Sequence, residues 1–156
     1  MSRLVIPISY RTLWGTGDVM LWIEITLSLR SGTGNYVDYD FNVDSGTEIT
    51  TFPAYEAKQL GLVVPVRPAQ VQHTQSVLEV RSGMLRFRID GMDQTEYAVA
   101  CLFLGDPNVR PSPNAPPGAL ARNLLQPLAL LEKLRFAMEK DPAALFPYGQ
   151  LVVEKT

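Results

Sequence analysis

The chain has 156 residues, a formal net charge of −2, 46% hydrophobic residues and 19% charged residues. This length is typical of one compact domain, which buries roughly two-thirds of its unfolded surface, so we expect a single domain over residues 1–156. The composition excludes global disorder, and a sequence pI of about 5.4 provides no basic field for a nucleic acid partner.

The sequence also argues against membrane and secretory signals. No stretch approaches the roughly 20 consecutive apolar residues of a membrane span, and the apolar run at 4–8 is too short for the core of a signal peptide. The single cysteine, Cys101, lies in the apolar run 98–104, so we expect a buried thiol rather than a reactive one. We therefore expect a cytoplasmic protein without a membrane partner.

The first part of the chain has the pattern of strands joined by turns. A first strand is predicted at 4–10. Apolar and polar residues then alternate over 19–29, which is the strongest strand signal in the sequence. After a turn at 31–35 the same alternation returns over 37–43, so the two runs predict a hairpin that ends at Asp44.

A short helix is predicted directly after Pro53. Residues 54–60 include good helix formers and Gly61 follows them, which is the usual punctuation of a helix. Residues 62–68 contain two prolines and predict a connection. The strands expected after this connection form a β-meander over 69–81, 84–90 and 95–104.

The last third of the chain is predicted to be less regular. Residues 105–118 contain five prolines and indicate a semi-extended loop. Leucines at 124, 128 and 131 predict a partly helical segment over 120–138, interrupted at Pro127. A final strand is expected at 150–154. The pattern predicts a mainly β fold with one or two short helices.

The residue types around Asp44 suit acid–base chemistry. Peptide hydrolysis without a metal needs one carboxylate that deprotonates a water and a second, protonated one that donates a hydrogen bond to the scissile carbonyl. The glycine in Asp44-Ser45-Gly46 would let two backbones approach closely, and the serine hydroxyl could hold the loops together. Taken alone, the triplet is also typical of an ordinary turn.

Together with a second motif, this segment resembles the retropepsin-like aspartic proteases, the single-domain enzymes of retroviruses and their bacterial relatives. An alternating strand runs into Val43-Asp44-Ser45-Gly46, and Ile49-Thr50-Thr51-Phe52 follows. The second family motif is similar to Ala-Leu-Ala-Arg-Asn-Leu-Leu at 119–125, and the passage 131–136 resembles one found in bacterial members. The resemblance covers roughly residues 4–138.

The resemblance implies a closed β-barrel of the acid-protease type, a flap hairpin and a catalytic Asp44. Because Asp-Ser-Gly occurs once in the sequence, a homodimer would be needed to supply two such carboxylates for a polypeptide substrate. No metal or organic cofactor is implied. The supporting residues implied are Ser45, Gly46 and Thr47 in the active-site loop, Arg122 and Asn123 as its brace, and His73, Thr74, Gln75 and Ser76 in the flap.

Departures from the family pattern keep other interpretations open. Thr47 and Ala121 stand where alanine and glycine are usual, and Glu48 would oppose ionisation of Asp44 if it faces inward. The proposed flap also lacks glycine. The alternative is a catalytically inactive module of the same fold that binds an extended peptide as an added strand. A third interpretation is a purely structural β-barrel, which a strictly monomeric state would favour.

Overall fold

The structure is a computed structural model that describes residues 3–12, 15–43, 49–73, 76–112, 122–124, 128–140, 143 and 149–156. Strands dominate these residues. In chain order the elements are β1 (Arg3–Pro7), β2 (Ser9–Thr12), β3 (Val19–Trp22), β4 (Glu24–Arg30), β5 (Tyr36–Val43), β6 (Thr50–Pro53), α1 (Ala54–Gln59), β7 (Ala69–His73), β8 (Ser76–Ile89), β9 (Tyr97–Leu104), β10 (Asn123–Leu124), α2 (Leu128–Leu131), β11 (Leu134–Glu139) and β12 (Gln150–Lys155).

The described strands form three sheets. The largest has the order β4-β5-β10-β6-β9-β8-β7, a second has the order β1-β12-β11, and β2 pairs with β3. Most neighbours are antiparallel, but β10 runs parallel to β5 and β6 runs parallel to β9. β4 pairs with β5 along its whole length, and its residues Leu27–Leu29 also pair with β8. The large sheet is therefore strongly curled.

The predicted mainly β class is confirmed, whereas a single closed barrel is not. The described strands are divided among three separate sheets. The reason lies in the pairing partners near the chain ends: β12 lies between β1 and β11, and none of these three strands pairs with the large sheet. The described strands thus form a large curled sheet that shares its core with a smaller one, and a retropepsin-like fold stays a prediction.

Phenylalanines from four strands of the large sheet form the centre of the core. Phe41, Phe52, Phe87 and Phe103 are each 0% exposed. Phe41 and Phe52 stack with ring centroids 5.7 Å apart, and burying one such side chain contributes on the order of 2 kcal/mol. Leu134 of β11 packs into the same core. One core thus joins the large sheet to the three-stranded sheet.

Several predicted elements are confirmed. β4 and β5 form the expected hairpin, because period-two alternation places one set of side chains in the core and the other at the surface. The helix after Pro53 is α1, and Gly61 follows it with a φ of 73°. β7, β8 and β9 form the predicted meander. Cys101 is buried, and desolvation strongly raises the pKa of its thiol.

The partly helical segment predicted over 120–138 is confirmed for one short helix, and its other described elements are strands. Only 128–131 are helical, while 123–124 and 134–139 form β10 and β11. Leu124 and Leu134 are both 0% exposed, but they are buried by neighbouring strands rather than along one helix face. Leucines at these spacings fit either arrangement, and the strand partners decided the outcome.

Other strand boundaries differ from the predicted ones because pairing partners change along the chain. The alternating run at 19–29 is divided at Ile23, since β3 pairs with β2 and β4 pairs with β5. Conversely, β8 is one continuous strand through Gly83, where two separate strands were expected. Of the proline-rich loop, 105–112 contain no strand or helix, and 113–118 lie outside the described residues. No helix among the described residues is long and apolar enough to cross a membrane.

Candidate active site

The segment that carries the predicted catalytic aspartate connects β5 to β6. β5 ends at Val43 and β6 begins at Thr50. The described part of the site therefore consists of the strands and side chains on either side of this segment. The predicted catalytic and loop residues that lie outside the described ranges are Asp44, Ser45, Gly46 and Thr47, together with Glu48.

The second predicted motif lies between these two strands. β10 runs parallel to β5 and antiparallel to β6, with Asn123 opposite both Asn42 and Thr51. The backbone N–H of Asn42 donates to the carbonyl of Arg122 at 2.8 Å. Because β10 occupies the space between the strand that enters segment 44–48 and the strand that leaves it, it sets the separation of the two ends of that segment.

Leu124 anchors β10 in the core. It lies opposite Val43 and is 0% exposed, and burial of a leucine side chain contributes about 2 kcal/mol. A two-residue strand makes few backbone hydrogen bonds. The position of β10 therefore depends strongly on the burial of Leu124 and on the contacts of the preceding arginine.

Arg122 forms a bidentate ion pair with Glu56 in the first turn of α1. Its Nε and Nη2 donate to the carboxylate oxygens at 2.9 and 2.7 Å. The two side chains are 34% and 24% exposed, so the pair is partly shielded from water. Hydrogen bonding to Glu56 raises the pKa of Arg122, and such charge-assisted pairs fix orientation as well as adding energy. The pair connects β10 to α1.

The ring of Tyr39 is the second side chain that contacts the guanidinium of Arg122. The guanidinium carbon of Arg122 lies 5.3 Å from the centroid of the Tyr39 ring, within the range of a cation–π interaction. The same ring contacts Phe52 edge-on, at 5.1 Å between centroids. Desolvation, and then the charge of Glu56, raise the pKa of Tyr39. Arg122 thus contacts β5 and α1 while its backbone leads into β10.

This arrangement is suited to positioning a loop. The guanidinium is an always-charged donor, and its carboxylate partner already accepts two hydrogen bonds. Neither group is placed to act as a free base or nucleophile. Within the ranges described, no group of three or more His, Cys, Asp or Glu side chains could hold a metal ion. The described residues would therefore support a reaction at segment 44–48 only by holding the ends of that segment in position.

The predicted flap residues lie at one end of the β7–β8 hairpin. His73 of β7 is paired with Ser76 of β8, and Thr74 and Gln75 between them lie outside the described residues. A two-residue connection is the shortest common hairpin loop. The backbone of this region is therefore a hairpin, as a flap requires, and its role over a cleft stays a prediction.

Sequence reasoning missed Glu56 and Tyr39. Glu56 has an ordinary explanation in the sequence, since an acidic side chain in the first turn of a helix is favoured by the helix dipole. Tyr39 fits the alternation of a strand. Nothing local pairs Glu56 with an arginine 66 residues away, so only the folded chain identifies these two residues as part of the site.

No family model, curated protein or solved structure matches this chain. The resemblance to retropepsin-like proteases therefore depends on the residues of the two motifs. The structure adds one relation between them: β10, which follows Arg122, pairs with the strands on both sides of segment 44–48.

Proposed function

We propose that this protein is a retropepsin-like aspartic endopeptidase in which two copies of the chain each supply Asp44 to one active site. The observation that carries the proposal is the pairing of β10 with β5 and with β6. The described part of the second motif, residues 122–124, lies between the strands that precede and follow segment 44–48. The protease interpretation expects the Arg122 segment beside the Asp-Ser-Gly segment, and the position of β10 supports that expectation.

The proposed reaction uses the two carboxylates and a water. One Asp44 carboxylate removes a proton from the water, which attacks the carbonyl carbon of the peptide bond, while the other carboxyl group donates a hydrogen bond to the carbonyl oxygen. The tetrahedral intermediate then collapses as its C–N bond breaks, and the Asp44 carboxyl group that took the water proton passes a proton to the nitrogen of the leaving amine. Two carboxyl groups so close share one proton because both cannot be ionised.

Arg122 acts in this proposal as a positioning residue. Its bidentate pair with Glu56 and its contact with Tyr39 hold the start of β10 against α1 and β5. β10 in turn holds the ends of segment 44–48. A displacement of about 1 Å in a catalytic group can cost about a hundredfold in rate, so the brace supports activity without contacting the substrate.

Asp44→Asn tests the proposal most directly. We expect the variant to lose at least about a thousandfold in the hydrolysis of fluorophore-labelled casein, assayed from about pH 4 to pH 7, because an amide can neither accept the water proton nor share one. Asp90→Asn is the matched control, since Asp90 is exposed and lies in the turn after β8. It should retain activity. Equal activity of Asp44→Asn and the unaltered chain would contradict the proposal.

The shared active site adds a second requirement. Sedimentation should show a dimer for both the unaltered chain and Asp44→Asn, and specific activity should fall on dilution below the dimer dissociation constant. A dimer without turnover at any pH would favour the inactive peptide-binding module instead. A strictly monomeric protein would contradict a site built from two copies.

A further inference from the structure

Along part of its length, one edge of β8 is paired with none of the described strands. On one side, β9 pairs with β8 continuously from Val80 to Phe87. On the other side, β7 pairs with β8 only as far as Val80, and β4 only from Phe87 onward. Among the described strands, none covers residues 81–86 on this second side. We call this opening the β8 gap.

The backbone groups that face the β8 gap belong to alternate residues. In an antiparallel pair, successive residues direct their N–H and C=O groups to opposite sides. The Glu79 carbonyl accepts from Gly105 N–H at 2.9 Å on the β9 side, whereas Asp90 N–H donates to the Thr26 carbonyl at 3.1 Å on the β4 side. The residues that face the gap are therefore Ser82, Met84 and Arg86. No hydrogen bond from elsewhere in the described chain reaches their gap-facing groups.

The β8 gap forms one side of a cleft of about 630 Å³. Its other side is formed by the turn between β4 and β5 and by the segment after α1. These parts are held in place, because Gly32 N–H donates to the Leu60 carbonyl at 2.8 Å and Arg81 Nε donates to the Pro65 carbonyl at 3.0 Å. The cleft thus has open backbone groups on one side and an anchored wall on the other.

The side chains around the cleft are apolar at its centre and positively charged at one end. Met84 is 51% exposed and Val63 is 88% exposed. Arg30 is paired with Glu96 at 3.3 Å. Arg86 is exposed and forms no ion pair with another described residue. Arg86 helps to lower the pKa of Glu96, but the Glu96 carboxylate is already bonded to Arg30 and Tyr36, so the net charge beside the open backbone groups is positive.

We propose that the β8 gap binds a short extended peptide of a partner protein, which adds to β8 as an antiparallel strand. β7 and β4 are both antiparallel to β8, so an added strand in the same orientation continues the hydrogen-bonding pattern. The peptide carries an acidic residue opposite Arg86 and an apolar residue opposite Met84. The inference does not depend on the proposed protease activity.

The shape of the gap favours a peptide over a second copy of the chain. Six uncovered residues span about 20 Å, and the gap is limited at its ends by β7 and β4. A longer strand would collide with one of these neighbours. The β8 edge of a second copy is recessed between its own β7 and β4, so two such edges cannot approach each other directly. A short segment with free flanks fits the available length.

The test uses the capped peptide Ac-Glu-Val-Leu-Val-Thr-NH2 and ¹⁵N-labelled Asp44→Asn protein, in which the proposed cleavage of the peptide cannot occur. In the antiparallel register, the glutamate lies opposite Arg86 and the leucine opposite Met84. We expect NMR titration to shift the amide signals of Ser82, Met84 and Arg86 most strongly. The free protein should exchange these three amides faster than those of Gly83 and Leu85, and bound peptide should protect them.

A pair of N-methylated peptides distinguishes binding by strand addition from nonspecific binding. N-methylation of the leucine removes a donor that faces β8, so we expect about a tenfold loss of affinity. N-methylation of the preceding valine removes a donor that points away, and affinity should change by less than about twofold. Equal losses for the two peptides would overturn the proposal.

A charge exchange tests the register. Arg86→Glu should weaken binding about fivefold, and a peptide with lysine in place of glutamate should bind this variant better than it binds the unaltered chain. Arg110→Glu makes the same charge change at an exposed residue that does not line the cleft, so it should leave binding unchanged. A similar loss in both variants would contradict the register.

Three further outcomes would overturn the proposal. The first is no shift at millimolar peptide. The second is a set of shifts centred away from β8. The third is protection of Ser82, Met84 and Arg86 amides before peptide is added: if it grows with protein concentration, the occupant is a second copy, and if it does not, another part of this chain covers the gap. None of these outcomes bears on whether Asp44 is catalytic.

Discussion

Two openings between strands of the large sheet differ in whether another segment of the described chain fills them. Near Val43, the space between β5 and β6 is filled by β10, whose two residues pair with both neighbours. Near Met84, the space between β7 and β4 along β8 is filled by no described strand. The first opening is therefore filled by a segment from a distant part of the sequence, and the second leaves backbone groups of β8 facing a cleft.

The difference shows what a very short strand needs in order to close a sheet. β10 has a fully buried leucine on one side and a partly buried, bidentate arginine pair beside it. The wall opposite β8 is held mainly by contacts between backbone groups of turns, as at Gly32 and Leu60. Burial of side chains holds β10 between β5 and β6, whereas the β8 gap faces a wall of turns across the cleft.

Leu124→Ala should have the largest effect on stability. Removing a fully buried leucine side chain costs about 2–5 kcal/mol of unfolding free energy, and here it also loosens the strand beside segment 44–48. Leu131→Ala is the matched control, because Leu131 is 42% exposed and should cost about 0.5 kcal/mol. Urea denaturation measures both. Similar losses would mean that β10 is not anchored by its leucine.

Gly32→Ala, in the wall of the cleft beside the β8 gap, should have a smaller effect on stability. A Cβ at this position would overlap the carbonyl of Gly61, which is backbone and cannot turn aside. We expect a loss of about 1–3 kcal/mol, together with faster amide exchange in the segment after α1. Asn35→Ala, at an exposed residue of the same turn, is the control and should leave stability nearly unchanged. An unaltered midpoint in urea for Gly32→Ala would show that the wall of the cleft is not fixed by this contact.

Arg122→Met should have the smallest effect on stability of the three. It removes two charge-assisted hydrogen bonds to Glu56, but both side chains are partly solvated, so the expected loss is about 1–2 kcal/mol. A double-mutant cycle with Glu56→Gln should give a coupling of about 1 kcal/mol.

The control for Arg122→Met is a more exposed pair of the same type. Arg135 donates to Glu154 at 2.8 Å, and its side chain is 64% exposed. Arg135→Met should therefore change stability by less than about 0.5 kcal/mol. If the two substitutions cost the same, partial burial of the Arg122 site would have no energetic role.

Much of the strand pattern could be predicted because it is local. Alternation over ten residues predicts a strand with one buried face, and two such runs joined by a turn predict the β4–β5 hairpin. Proline before α1 and Gly61 after it predicted the helix in the same way. Each of these signals is contained within a few neighbouring residues, so it can be recognised without knowing which strands pair in the folded chain.

The strands within residues 122–139 could not be predicted in this way. Leu124 and Leu131 have a spacing that a helix would also show, and strands of two or six residues are too short for a clear period of two. β10 exists because it fits between β5 and β6. No local propensity contains that information, since both partners are distant in the sequence.

The sequence by itself determined the mainly β class, the hairpin that leads to Asp44 and the motif residues on which the proposed protease activity depends. The tertiary structure decided that β10 lies between β5 and β6, that Arg122 is paired with Glu56 beside Tyr39, and that none of the described strands pairs with residues 81–86 of β8 on the side away from β9. The physical reason is the range of the interactions. Hydrophobic periodicity and turn chemistry act between near neighbours, whereas strand order, ion-pair partners and gaps between strands depend on where the whole chain runs.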